Sequence, residues 1–289
     1  MNPRLQTTLL FLACAWIWGS TWLGIRLGLE GVPPMVAAAL RMTASGVVLL
    51  LVALALREPW PRSRIYPVHI AVQGSLLFCF QYALIYWAEQ TVPSGLAAVL
   101  FATLPIVTAV YASLIFHMER ISPRRALGLA LGLAGVATIY WSEVVRGALA
   151  PPLGIAALLL AVVGASFATV FAKRYAHDIS PLATVGPGQL LGGALLGVLA
   201  LTLDRGKPIH FTATSAGALA YLIVATCIVF LAYFTLLKRM PVTTLSLLTY
   251  VTPVIAVILG AVVAHEPFPV TTALGSAIVL AGVYLVTRP

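Results

Sequence analysis

The chain has 289 residues, 61% hydrophobic and only 9% charged, with a formal net charge of +9 and a mean hydropathy of +1.03. A soluble domain carries about 25% charged residues, so water is excluded as the solvent for most of this surface. The basic residues stand in short connections between apolar runs, not on one continuous face, which argues against a nucleic-acid partner and for membrane topology determinants.

Cutting the chain at charged residues, prolines and polar clusters leaves ten apolar runs: 7–28, 33–56, 66–88, 93–116, 123–142, 152–173, 181–203, 213–237, 241–264 and 270–287. Each is close to the ~20 residues that span a bilayer. Backbone groups in lipid must bond within their own segment, so continuous runs of this length are read as helices. Barrel strands would alternate in polarity over about ten residues, and no such alternation is visible. The run after Arg4 has no small-residue cleavage site and is followed by further spans, so it is read as the first helix and not as a signal peptide. Cys14, Cys79 and Cys227 all fall inside runs and lack metal-ligand spacing. They read as buried thiols, with no metal and no cofactor expected.

Of the 17 Lys and Arg, only Arg26, Arg41, Arg146, Arg205 and Lys207 fall on one side of the alternating connections. The other twelve share the side of both termini, which the positive-inside rule makes cytoplasmic.

The second half repeats the first. Pro93 and Pro241, Pro105 and Pro253, Cys79 and Cys227, and His117 and His265 are each 148 residues apart, and Gly128–Val136 matches Gly275–Val283. These anchors divide the chain into residues 1–148 and 149–289, each with five spans. Homologous halves with an odd number of spans cross the bilayer in opposite senses. The expected fold is therefore an all-α integral membrane protein of ten helices in two inverted five-helix repeats. Transporters commonly own this arrangement, with a substrate site near the midplane between repeats.

Several short motifs then carry a resemblance. They are Trp18-Gly19-Ser20, Gly95–Leu100, Pro105, Glu119-Arg120, Leu133–Val136, Pro253, His265-Glu266 and Leu280–Val283. Together and in order they resemble the ten-spanning EamA-type exporters of the drug/metabolite transporter superfamily, over essentially the whole chain. The resemblance implies outward movement of amino acids or related small metabolites, with aromatic and neutral amino acids among the candidates, across a bacterial inner membrane. A broad-specificity drug/metabolite exporter, with or without ion coupling, is the alternative.

The eight carboxylates all lie at run ends or in connections, as do the histidines. A central proton relay is not expected, and facilitated diffusion by alternating access is preferred. Glu89, which ends the third run, is the acid to test. Candidate cavity residues are polar or aromatic and share helix faces: Trp18 and Trp22; Phe78, Tyr82 and Tyr86 with Gln81 beside them; Ser166, Thr169 and Lys173; and Ser246, Thr249 and Tyr250. Rings there would contact an apolar substrate body and hydroxyls would orient its polar head. From this set Trp18, Tyr82, Tyr86, Gln81, Ser166 and Tyr250 are the expected substrate-binding residues. The alternative for each is helix packing or interfacial anchoring.

Pro105 and Pro253 interrupt equivalent runs and are the expected hinges or kinks. Gly186-Pro187-Gly188 marks a local flexible point. Arg41 is read chiefly as snorkelling to the outer surface, and otherwise as a ligand for a substrate carboxylate. Glycines 128, 132, 135, 275 and 282 allow close helix approach, within a monomer or at a dimer contact; the monomer is favoured. No nucleophile–base pair, aspartate pair or metal cluster suggests an enzyme, and no filter-like segment suggests a channel.

Overall fold

The computed structural model describes residues 3–92, 94–141, 151–263 and 270–287, and all regular structure in them is helical. α1 (Pro3–Gly28) and α2 (Pro34–Ala55) are continuous. The third run is one rod built of α3 (Ile65–Val72), a π-helical stretch (Gln73–Phe80) and α4 (Gln81–Ala88). The fourth is divided into α5 (Ser94–Phe101), α6 (Leu104–Val110) and a π-helical turn (Tyr111–Ile115). Four helices follow: α7 (Pro123–Ile139), α8 (Pro152–Tyr175), α9 (Pro181–Leu203) and α10 (Ala213–Arg239). The chain ends in short α11 (Val242–Ser246), α12 (Leu248–Val263) and α13 (Val270–Thr287). Among the described residues, 8 helical segments are long and apolar enough to cross a membrane, and Val242–Ile255, which takes in α11 and the first part of α12, is a shorter apolar stretch. Pro93, Glu143, Arg146, His265, Glu266, Arg288, the expected boundary at 148–149 and the side chain of Trp22 lie outside what is described.

Helix starts follow local sequence. Proline occupies the first turn of α2, α7, α8 and α9, where its missing N–H costs nothing. Ser122 and Ser180 accept from the backbones of Arg125 and Ala183, and Thr212 with Ser215 forms a reciprocal capping box. Two carboxylates cap helices from a distance. Asp204 Oδ2 accepts from Met35 N at 2.8 Å and Val36 N at 3.1 Å, tying the end of α9 to the start of α2. Glu119 Oε1 accepts from Val242 N at 2.7 Å, tying the connection after the fourth run to the start of α11.

Small residues bring helices into backbone contact. α2 lies along α9, where a Cβ on Gly46 would stand 2.8 Å from Leu190 N and one on Gly193 2.7 Å from Thr43 N. α7 lies along α13, where a Cβ on Gly135 would stand 2.6 Å from Val279 N, and one on Gly282 2.6 Å from Gly132 N. The glycines of the fifth and tenth runs thus pack against each other within one chain. α1 packs on α10, and α4 on α8. At Gly186-Pro187-Gly188, α9 runs unbroken through Pro187. Its glycines make room for Leu49 of α2 and for the Phe78 ring.

Candidate functional site

Helices α1, α2, α4, α5, α6, α8, α10, α11 and α12 converge on a cavity with about 100 Å³ of space open to the centres of water molecules. One ordered water needs roughly 10–15 Å³ by that measure, so the site has room for several waters or a small solute. Most of its wall is apolar or aromatic. On α1, Trp18, Thr21 and Ile25 recur at helical spacing and present one stripe. On the third rod, Leu77, Gln81 and Ile85 do the same, with Tyr82 adjacent.

The aromatic wall is continuous. Trp18 meets Tyr233 at 5.1 Å between ring centroids and Phe230 at 6.0 Å, edge to face in the second case. Phe230 in turn stands 6.5 Å from Tyr82. Such geometries suit the ring quadrupole. Hydroxyl groups line the rest: Thr169, which accepts from the Tyr233 hydroxyl at 3.3 Å, with Ser246, Thr249 and Thr252. Ser246 and Thr252 return their protons to backbone carbonyls in their own helices, leaving oxygen lone pairs as acceptors.

Arg41 overturns its principal sequence reading. It does not snorkel; it is 1% exposed and lines the cavity. Nε donates to Thr226 Oγ1 at 2.7 Å, Nη1 donates to Tyr86 Oη at 3.3 Å, and Cζ lies 5.1 Å from the centre of the Tyr82 ring.

The six expected binding residues separate into two groups. Trp18, Gln81 and Tyr82 line the cavity. Tyr86 stands behind it, spending its hydroxyl on Arg41. Ser166 is fully buried between helices, accepting from Thr108 Oγ1 at 3.1 Å. Tyr250 packs its ring on Gly132 and donates to Leu129 O at 2.8 Å. For these last two the expected cavity position is corrected to helix–helix packing, because each polar atom is already satisfied by a neighbouring helix.

The two prolines also differ. Pro105 opens α6 directly after the break at Ala102-Thr103, whereas Pro253 lies inside continuous α12 and lines the cavity. In the ninth run the break falls earlier, at Leu247 between α11 and α12. Lys173 donates to Leu237 O near the end of α10 at 2.6 Å, a helix-terminal bond suited to a cation. Glu89 stands just past α4, with Oε1 buried and unpartnered.

Phe230, Tyr233, Thr21 and Thr252 were not singled out from sequence. Phe230 and Tyr233 are three residues apart on α10, a spacing that would have placed them on one face with Thr226. Among the described residues no cluster of His, Cys, Asp or Glu could hold a metal ion.

The model of the EamA-like transporter family matches residues 6–141 and again residues 152–288. The chain is 30% identical over 275 residues to the protein named uncharacterized inner membrane transporter YedA of Escherichia coli K12, covering 94% of this chain and 87% of that one. It is 26% identical over 258 residues to protein PagO of Salmonella typhimurium, covering 88% and 84%. A solved crystal structure shares the fold with a TM-score of 0.77 at 21% identity, covering 97% of this chain and 96% of the other.

Proposed function

The chain belongs to the EamA-like transporter family and is a multi-pass membrane protein, and from that premise we propose that it carries amino acids, aromatic or neutral, outward across a bacterial inner membrane. The observation that carries this reading is the cavity between helices. Aromatic rings offer a surface to an apolar body, and hydroxyls, an amide and a guanidinium offer bonds to a polar head.

The proposed architecture is ten spans in two inverted halves, with both termini cytoplasmic. Separate matches of one family model to each half support it. So does the helix pairing: α2 lies on α9 and α7 on α13, each span against its counterpart, while α1 on α10 mirrors the third span on α8. Alternating access then moves one set of spans against the other around the cavity. Acids and histidines are absent from the described lining, which favours movement down a gradient without a proton relay.

Counterflow tests the reading. Proteoliposomes are loaded with one unlabelled amino acid at a time, and labelled solute accumulates only where the protein is present, without an imposed proton gradient. Failure for every aromatic and small neutral amino acid overturns the amino-acid assignment in favour of broader drug or metabolite export.

A further inference from the structure

Arg41 is a full charge held where charge is expensive. It lies seven residues beyond the first residue of α2, inside a segment long and apolar enough to cross a membrane, and is sealed from bulk solvent. Ionisable groups at such positions are kept for a partner, yet its protein partners are neutral: the Thr226 hydroxyl, the Tyr86 hydroxyl and the face of Tyr82. A guanidinium has five N–H donors, and these bonds use two of them. Among the described residues no carboxylate forms an ion pair with it, Glu89 included. The remaining donors belong to a side chain that lines the cavity.

A second unsatisfied group shares that cavity. Gln81 lines it, is 8% exposed and has a buried Oε1 without a hydrogen-bond partner. A buried amide oxygen left unpaired costs free energy until something donates to it. No Asp, Glu or Lys side chain stands in the described lining, so Arg41 is the charged group there.

The geometry points to Arg41 as the anchor for a substrate carboxylate and to Gln81 Oε1 as an acceptor for the substrate ammonium, with the Trp18–Phe230–Tyr233 wall taking an apolar side chain. This rests on the transporter reading above and narrows it to 2-amino acids whose carboxylate is free. The guanidinium fork matches a carboxylate with paired, charge-assisted bonds. An amine or amide lacking the carboxylate would instead bring a second cation beside Arg41 with no anion between them. The site therefore discriminates against cationic amphipathic solutes.

Purified full-length protein in detergent is titrated with phenylalanine, 3-phenylpropionate, phenylalaninamide and phenethylamine, following intrinsic tryptophan fluorescence, and counterflow of phenylalanine is measured beside it. The expected result is binding of both carboxylates, phenylalanine the tighter because its ammonium gives Gln81 Oε1 a donor, with the amide and the amine at least about tenfold weaker than phenylalanine. Arg41→Gln then loses the discrimination and Arg41→Lys keeps part of it, each variant being checked for a monodisperse elution profile. The wild-type comparison stands even where a variant fails to fold. Equal binding of all four solutes, tighter binding of the cations, or no binding of any overturns the role given to Arg41. Binding of the carboxylates without phenylalanine counterflow upholds that role and overturns transport of this amino acid instead.

Discussion

The Tyr250 ring lies across the bare α-carbon of Gly132, and its hydroxyl reaches one turn back along α7 to Leu129 O at 2.8 Å. One side chain of α12 is thereby seated on α7 by contact and by a hydrogen bond. Gly132→Ala drives a carbon into the ring, an overpacking that costs typically about 1–3 kcal/mol. Tyr250→Phe removes one buried hydrogen bond, worth about 0.5–1.5 kcal/mol, and leaves the ring seated. Thermal unfolding in detergent should show Gly132→Ala lowering Tm more than Tyr250→Phe. Equal or reversed effects would mean the ring is not seated on Gly132.

Asp204 makes the clearest prediction about stability outside the spans. Its carboxylate receives Met35 N and Val36 N, and its other oxygen pairs with Lys207 Nζ at 2.8 Å. Both backbone donors belong to the first turn of α2, which has no partner for them within the helix. Asp204→Ala should destabilise by about 0.5–2 kcal/mol, the usual range for a lost N-cap, and Asp204→Asn by less because an acceptor remains. Tm measured for both variants decides it, and an unchanged Tm for the alanine variant would refute the capping role.

The aromatic wall yields a prediction about selectivity. Trp18 touches both Phe230 and Tyr233, and all three line the cavity. Aromatic pairs contribute roughly 0.5–1.5 kcal/mol beyond area burial, so Phe230→Ala should raise the KM for phenylalanine by up to about tenfold. A small amino acid such as alanine makes fewer ring contacts and should be affected less. Counterflow KM values for the two solutes give the comparison, and an equal rise for both would place the apolar body elsewhere.

Run length between charges and prolines was enough to read the helical rods, and shared helix faces put three of the six expected binding residues at the cavity. Trp18, Gln81 and Tyr82 were legible because polar or aromatic residues in an apolar run define a face, and that face meets the cavity. Tyr86 and Tyr250 share such faces too, but a face does not say which neighbour fills it. For Tyr86 the neighbour is Arg41, and for Tyr250 it is Gly132, in the middle of α7. Arg41 was misread because depth was judged from distance along its own run, whereas its burial comes from α4 and α10, which supply Tyr82, Tyr86 and Thr226. Pairing between distant helices is what one sequence leaves least visible, and it decides which polar side chains face a cavity and which face a backbone carbonyl.

Glu89 separates the two driving forces. It follows α4 directly, one turn after Tyr86 in chain order, with one carboxylate oxygen buried and unpartnered. A carboxylate in that state is a natural proton carrier if transport is coupled, and an ordinary polar helix end if it is not. The uncoupled reading predicts that Glu89→Gln, which keeps the shape and removes the proton site, retains counterflow within about threefold, because the buried oxygen has no hydrogen-bond partner to lose. It also predicts that an imposed proton gradient leaves steady-state accumulation by the wild type unchanged. Accumulation that follows the gradient in the wild type and loses that response in Glu89→Gln would overturn facilitated diffusion and assign the coupling proton to this carboxylate.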